Sequence, residues 1–309
     1  MKILVTGGAG YVGSVLVPYL LDKGHKIRVL DNLTYGIAGL FNCFNDPNFE
    51  FIDGDVSDMY MYKRAINYDV DVVIHLAAIV GYPACKKNED LAETVNVGGP
   101  VVVVSETDQD VPIIFASTTS VYGEIGDVCT ECTPINPLTI YGKTKSRAEE
   151  VFKSRGNCVI YRFATGFGVS PRLRLDLMIN DFCYKAVNEK NLILYEQYFR
   201  RAFIHVTDMA KSFLFAIENF RKMRDDIYNV GSVDMNLTKK QIAEEIQLKV
   251  KYYLHCADYE KDADKRDYAV DYEKIASLGF QPTMPLSIGI CQLVQLFKVM
   301  RIKSQYSNV

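Results

Sequence analysis

The 309-residue sequence has no long apolar run, no block of like charge and no cysteine pattern that implies a disulfide framework. Its longest uninterrupted apolar stretch is about ten residues, 76–85, and already contains Gly81 and Pro83. A bilayer span needs about twenty, so no membrane-crossing helix is expected. Lys and Arg total 35 against 38 Asp and Glu, a formal net charge of -3, and nothing supplies a basic stripe that would track phosphates. Nucleic acid is not the expected partner. With 20 Gly, 10 Pro and 49% hydrophobic residues, the composition excludes collagen, low-complexity chain and disorder. The start, Met1-Lys2-Ile3-Leu4-Val5-Thr6, lacks the small-residue cleavage site of an export signal, and a cytoplasmic protein is expected. The eight cysteines are scattered and read as small buried hydrophobes of a reducing compartment. Cys129 and Cys132 form a C-x-x-C, but no second pair accompanies it, so no metal site is expected.

What the chain does have is size and alternation. Its length corresponds to about two domains, enough to bury about three quarters of the unfolded surface. Residues 2–6, 26–30, 49–52, 70–75 and 113–117 read as strands, apolar throughout rather than alternating, as strands covered on both faces are. Between them, 11–23, 59–67 and 91–107 read as helices. The pattern predicts an α/β fold with a doubly wound parallel sheet. Val101 to Val104 are poor helix formers, and only the crossover that parallel strands require keeps 91–107 helical. Beyond about residue 165, longer polar segments with helices at 175–189, 206–220, 238–248 and 287–300 indicate a smaller lobe. The expected division is a main domain of 1–165 plus about 203–230, and a lobe of about 166–202 plus 231–309. Residues 303–309 read as a frayed tail.

Thr6-Gly7-Gly8-Ala9-Gly10-Tyr11-Val12-Gly13 follows the first strand and opens the first helix. Gly8, Gly10 and Gly13 satisfy G-x-G-x-x-G, and Gly7, Gly10 and Gly13 a looser form of it. Such glycines permit a tight turn, close approach of backbone to a pyrophosphate, and tight helix–strand packing, while the helix N-terminus offers unpaired N–H groups. Asp31, eighteen positions beyond Gly13, falls where an acidic residue accepts the ribose hydroxyls and repels a 2'-phosphate, which predicts NAD. Asp55 is placed to meet the adenine edge, although Asp53-Gly54-Asp55 is also ordinary turn chemistry.

Tyr141 and Lys145 are spaced i, i+4 at the start of a helix and so share one face. An ammonium near a phenol favours phenolate, which makes Tyr141 a candidate general base for a sugar hydroxyl. The strand 113–117 ends in Ser117-Thr118-Thr119-Ser120, placing hydroxyls at the carboxyl edge of the sheet, where ligands bind in such folds. His205 reads as a structural histidine in a strand-like context.

Taken with Asp31-Asn32-Leu33, Gly54-Asp55-Val56, His75-Leu76-Ala77-Ala78, Asn96-Val97-Gly98, Phe203-Ile204-His205-Val206 and Leu278-Gly279-Phe280, these motifs resemble the extended short-chain dehydrogenase/reductase superfamily, whose members include nucleotide-sugar epimerases and dehydratases. The resemblance implies a Rossmann domain with NAD held by Gly7, Gly10, Tyr11, Val12, Gly13, Asp31, Asn32, Asp55, Val56, Leu76, Ala77, Ala78, Asn96, Tyr141 and Lys145. It implies Thr118, Tyr141 and Lys145 as catalytic residues, a nucleotide-diphosphate sugar as substrate, and a homodimer packed through the helices 91–107 and the one bearing Tyr141. Substrate contacts carried over are Thr118, Thr119, Thr165, Asp176, Arg201 and Arg266. Related dehydratases have Asp-Glu directly after the catalytic Thr; here Thr119 and Ser120 stand there, favouring a 4-epimerase over elimination. Two places where the family usually has Asn read Thr165 and Asp176, a departure from the standard UDP-hexose pattern. The run 170–182 is similar to that of GDP-mannoheptose 4-dehydrogenases, so a 4-dehydrogenase is the alternative. A non-catalytic NAD-binding sensor is a further one, against which both Tyr141 and Lys145 speak.

Overall fold

The computed structural model of the chain describes residues 1–125, 127–257 and 267–300. The expected frayed tail at 303–309 lies outside the described residues. The chain runs through β1 (Lys2–Thr6), α1 (Gly13–Asp22), β2 (Lys26–Asp31), β3 (Phe49–Asp53), α2 (Met59–Ile66) and β4 (Val72–His75). Short helices α3 (Tyr82–Lys87) and α4 (Glu89–Glu93) lead into α5 (Gly99–Glu106) and β5 (Ile113–Thr118). The two-residue β6 (Val128–Cys129) precedes α6 (Ile140–Arg155), β7 (Cys158–Phe163) and β8 (Thr165–Phe167). There follow α7 (Met178–Tyr184), β9 (Asn191–Tyr195), β10 (Arg200–His205), α8 (Val206–Met223) and β11 (Asp226–Val230). The rest gives β12 (Asn236–Thr238), α9 (Lys239–Gln247), β13 (Tyr253–Ala257), β14 (Ala269–Val270), α10 (Glu273–Ala276) and α11 (Leu286–Val299).

Seven strands form one parallel sheet in the order β11-β7-β5-β4-β1-β2-β3. This is the doubly wound Rossmann arrangement. The order reverses between β1 and β4, where Thr6 is level with His75, and the crevice beyond their carboxyl ends is where such folds take ligands. Ile3, Leu4 and Val5 are buried because helices cover both faces. On one face lies the core shared with α1 and α8; on the other, the core shared with α2, α5 and α6. A third core joins α7, α9 and α11 with β9 and β10.

Two local outcomes differ from the sequence reading. The helix expected over 91–107 forms, but as α4, a π-helical turn at Thr94–Gly98 and α5 in succession. The need to bring β5 back parallel to β4 prevails over the β-branched valines. The helix expected from 175 begins instead at Met178, after Leu177 in extended backbone. His205 ends β10, which pairs with β8 and β12 rather than joining the main sheet, and its Nδ1 accepts the Thr207 N–H at the start of α8.

Candidate active site

The glycine turn is held by contacts that leave no room for side chains. Gly7 has φ +73, and a Cβ there would lie 2.6 Å from the backbone nitrogen of Ala77; at Gly13 it would lie 2.4 Å from the Gly8 carbonyl oxygen. Val12 occupies the N-cap of α1 and supplies no side-chain cap. The Ser14 and Val15 N–H groups bond to the Gly10 and Val12 carbonyls, and Gly13 ahead of them lines the crevice, where a helix start without a side-chain cap favours an anion. Asp31 is fixed by two backbone donors, Ala9 N–H and Leu33 N–H, each at 2.9 Å. Burial, with Asp53 and Asp55 nearby, pushes its carboxyl above the usual carboxylate range against those two bonds. Burial also pushes Asp55 up, but the Ser57 hydroxyl and N–H and the Asn32 amide outweigh it and hold this carboxyl low.

Thr139 caps α6 by accepting the Gly142 N–H at 3.1 Å, so the helix starts where Tyr141 falls in its first turn and Lys145 in its second. Lys145 is buried, its amine 4.1 Å from the centroid of the Phe115 ring. Burial pushes the ammonium down to about 7, against the pull of Glu149 and Cys85. Across from α6, the Thr118 hydroxyl donates to Ser120 Oγ at 3.1 Å and accepts the Ser120 N–H, fixing the hydroxyl-bearing turn at the end of β5.

One cavity of about 310 Å³ gathers these groups. Its wall includes Gly7, Gly10, Tyr11, Val12, Gly13, Asp31, Asn32, Asp55, Val56, Leu76, Ala77 and Ala78 at one end, and Thr118, Tyr141, Lys145 and Thr165 at the other. Four expected contacts stand off the wall. Asn96, in the π-helical turn, spends its amide on the Ile79 N–H and carbonyl and on Thr144, clamping the loop after β4. Thr119 is turned away, its carbonyl accepting the Tyr268 hydroxyl at 2.9 Å. Asp176 sits behind Arg174 as its ion-pair partner, and Arg201 is buried in β10. Arg266 lies outside the described residues.

Sequence reasoning did not single out Tyr35, Arg172 and Arg174, which also line the cavity. The Arg172 guanidinium lies 4.1 Å from the Tyr35 ring centroid. Their segment is tied across the crevice: Tyr11 hydroxyl donates to the Gly168 carbonyl at 2.8 Å, and Ser170 hydroxyl to the Tyr11 carbonyl at 2.7 Å. The one available signal was the pair of arginines in a run already noted for its resemblance. Among the described residues, Asp31 and Asp55 are the carboxylates on the wall, so none stands beside Thr118. Among the same residues, no cluster of His, Cys, Asp and Glu could hold a metal, and no helix is long and apolar enough to cross a membrane.

A glycine-cradled crevice at the sheet's switch point, with a Tyr/Lys pair and a threonine hydroxyl, is the site of a dinucleotide-dependent enzyme of the extended short-chain dehydrogenase/reductase class. The family model of the NAD dependent epimerase/dehydratase family matches residues 3–231, and the chain belongs to that family. It is 30% identical over 312 residues to a protein of Methanocaldococcus jannaschii provisionally named a UDP-glucose 4-epimerase, covering 96% of this chain and 98% of that one. It is 32% identical over 258 residues, 75% of each chain, to the UDP-glucose 4-epimerase of Halalkalibacterium halodurans. Its fold matches the dTDP-glucose 4,6-dehydratase of Bacillus anthracis, solved in complex with NAD, with a TM-score of 0.83 at 25% identity over 96% of both chains. The chain is accordingly an NAD-dependent enzyme.

Proposed function

We propose that this enzyme is a nucleotide-sugar 4-epimerase working through a 4-keto sugar that stays bound. The reading is carried by the presence of Thr118, Tyr141 and Lys145 on the wall of the same cavity as the glycine turn. The cavity suits the cofactor on three observations: the uncapped start of α1, the side-chain-free turn at Gly7 and Gly13, and the backbone-fixed Asp31. The turn residues Gly7 to Gly13 would hold the pyrophosphate, Asp31 and Asn32 the adenosine ribose, Asp55 and Val56 the adenine, and Leu76, Ala77 and Ala78 the opposite wall. When bound, NAD would supply a reversible acceptor for the hydride of the sugar C4. Tyr141 takes the proton from O4 as the carbonyl forms and gives it back as the hydroxyl is restored. The Thr118 hydroxyl shares O4 with it, and Lys145 in its protonated form stabilises the phenolate.

The missing carboxylate beside Thr118 favours this reading over dehydration. Eliminating water from a 4-keto sugar needs an added acid and base, and Thr119 and Ser120 supply hydroxyls only, the first directed toward Tyr268. The anionic diphosphate would meet Arg172 and Arg174 on the wall, with Thr165 beside them and Asp176 behind. Arg201, expected from the sequence for this role, is buried in β10 off this wall, and Arg266 lies outside the described residues. A second reading, a net 4-dehydrogenase, rests on the resemblance of the run 170–182, within which Arg174 engages Asp176.

Incubation with a panel of UDP-, dTDP- and GDP-sugars tests the assignment. The expected result is a 4-epimer with no net accumulation of reduced cofactor, and a loss of about 10²–10⁴-fold in Tyr141→Phe. Stoichiometric reduced cofactor would favour the dehydrogenase reading. Unchanged turnover in Tyr141→Phe would remove the assigned base.

A further inference from the structure

Helix α6 carries a third polar residue in line with Tyr141 and Lys145. Glu149 follows Lys145 by one turn on the same face. It is fully buried and stands off the cavity wall. Its carboxylate accepts the Ser117 hydroxyl at 2.5 Å and two N–H groups of Arg162, at 3.0 and 2.7 Å. Arg162 also donates to the Tyr122 hydroxyl at 3.2 Å, which donates to Asn229 at 2.6 Å. A buried ion pair of this kind contributes little to stability that a well-packed apolar pair would not, so packing alone does not explain it.

The explanation lies with the buried amine one turn earlier. Among the described residues, the groups that act on Lys145 are Glu149 from α6, one turn along the same face, the Phe115 ring from β5, His75 from β4 and Cys85 from α3. Burial keeps His75 neutral, its imidazolium pushed down to about 3, and keeps the Cys85 thiol protonated, pushed up to about 11. Glu149 is the carboxylate packed beside this pocket, held there by Arg162 and by Ser117 of the same strand as Phe115.

We propose that Glu149 is a positioning residue for the reaction, its carboxylate acting as the counter-ion that keeps a proton on Lys145 while Arg162 and Ser117 hold that carboxylate in place. The inference rests on Lys145 taking part in the proposed chemistry, but its primary test does not need turnover. With lysine labelled at Cε, NMR follows the protonation of Lys145 in the wild type and in Glu149→Gln. The midpoint should fall by about one pH unit in the variant, a tenfold change in the protonation equilibrium. A midpoint unmoved in a folded variant overturns the proposal.

Glu149→Gln leaves Arg162 unpaired and can compromise folding. The paired variant Glu149→Leu/Arg162→Met removes both charges and avoids that penalty. It too should lower the Lys145 midpoint; an unmoved midpoint, or failure of the paired variant to fold, assigns the network to stability and overturns the role. Under the proposed function, the alkaline limb of kcat moves down with the midpoint while KM for the sugar changes little. If the midpoint shifts but no nucleotide sugar is turned over by the wild type, the proposed function fails and the counter-ion role stands.

Discussion

Lys145 is buried where a charge works against the fold. Its amine is buried over an aromatic ring, and charging it there works against desolvation that Glu149 and Cys85 only partly offset. Linkage fixes the sign. The unfolded lysine titrates near 10.5 and the folded one near 7, so over that interval the unfolded state binds more protons, and stability rises with pH. Lys145→Met removes the burden. We expect it to unfold at a higher temperature, by an amount corresponding to about 1–3 kcal/mol near pH 7, while losing turnover. Calorimetry beside the activity assay checks both; a variant that loses stability along with activity would show that the lysine serves the fold. That Tyr141 and Lys145 line one cavity was legible because i, i+4 spacing is a local property of the chain. The neutral-range titration of the amine was not, since it depends on Phe115, Cys85 and Glu149, which sequence spacing does not bring together.

At the scale of elements, the β1–turn–α1–β2 unit was readable because every step is local: apolar strands, glycines where side chains do not fit, and an acid at the end of β2. The tightness of that turn carries a prediction. A Cβ at Gly13 would lie 2.4 Å from the Gly8 carbonyl oxygen, and neither backbone can yield without opening the turn. Gly13→Ala should cost about 1–3 kcal/mol of stability and weaken NAD binding at least tenfold. Denaturant midpoints and cofactor titration measure both effects, and a variant that binds NAD like the wild type would contradict the cradle. Other elements were harder to read. The strand β7 does not stand out because Arg162 interrupts it, and a buried guanidinium is acceptable only with Glu149 opposite, thirteen residues earlier on α6. The π-helical turn at Thr94–Gly98 is invisible locally, since it serves the contact of Asn96 with the loop at Ile79.

Over the whole molecule, the alternation of strands and helices gave the sheet, while the second half resisted reading because its strands pair over long distances. β10 meets β8 38 residues earlier and β12 34 to 38 later, and such pairings leave no periodic signal in either segment. The segment bearing Arg172 and Arg174 enters the site only because Ser170 and Gly168 are bound to Tyr11, nearly 160 residues away in sequence. The cavity is thus a joint product of both halves of the chain, with the cofactor turn on one side and the guanidinium groups on the other. Under the proposed function that arrangement would serve hydride removal and return at one carbon, with Asp31 and Asp55 the carboxylates on its wall among the described residues. Turnover of a nucleotide sugar deuterated at C4, in ordinary water, tests this most directly. The expected result is a 4-epimer that keeps its deuterium and forms more slowly than from the unlabelled sugar; release of the deuterium to water would contradict hydride transfer and with it the account of the site.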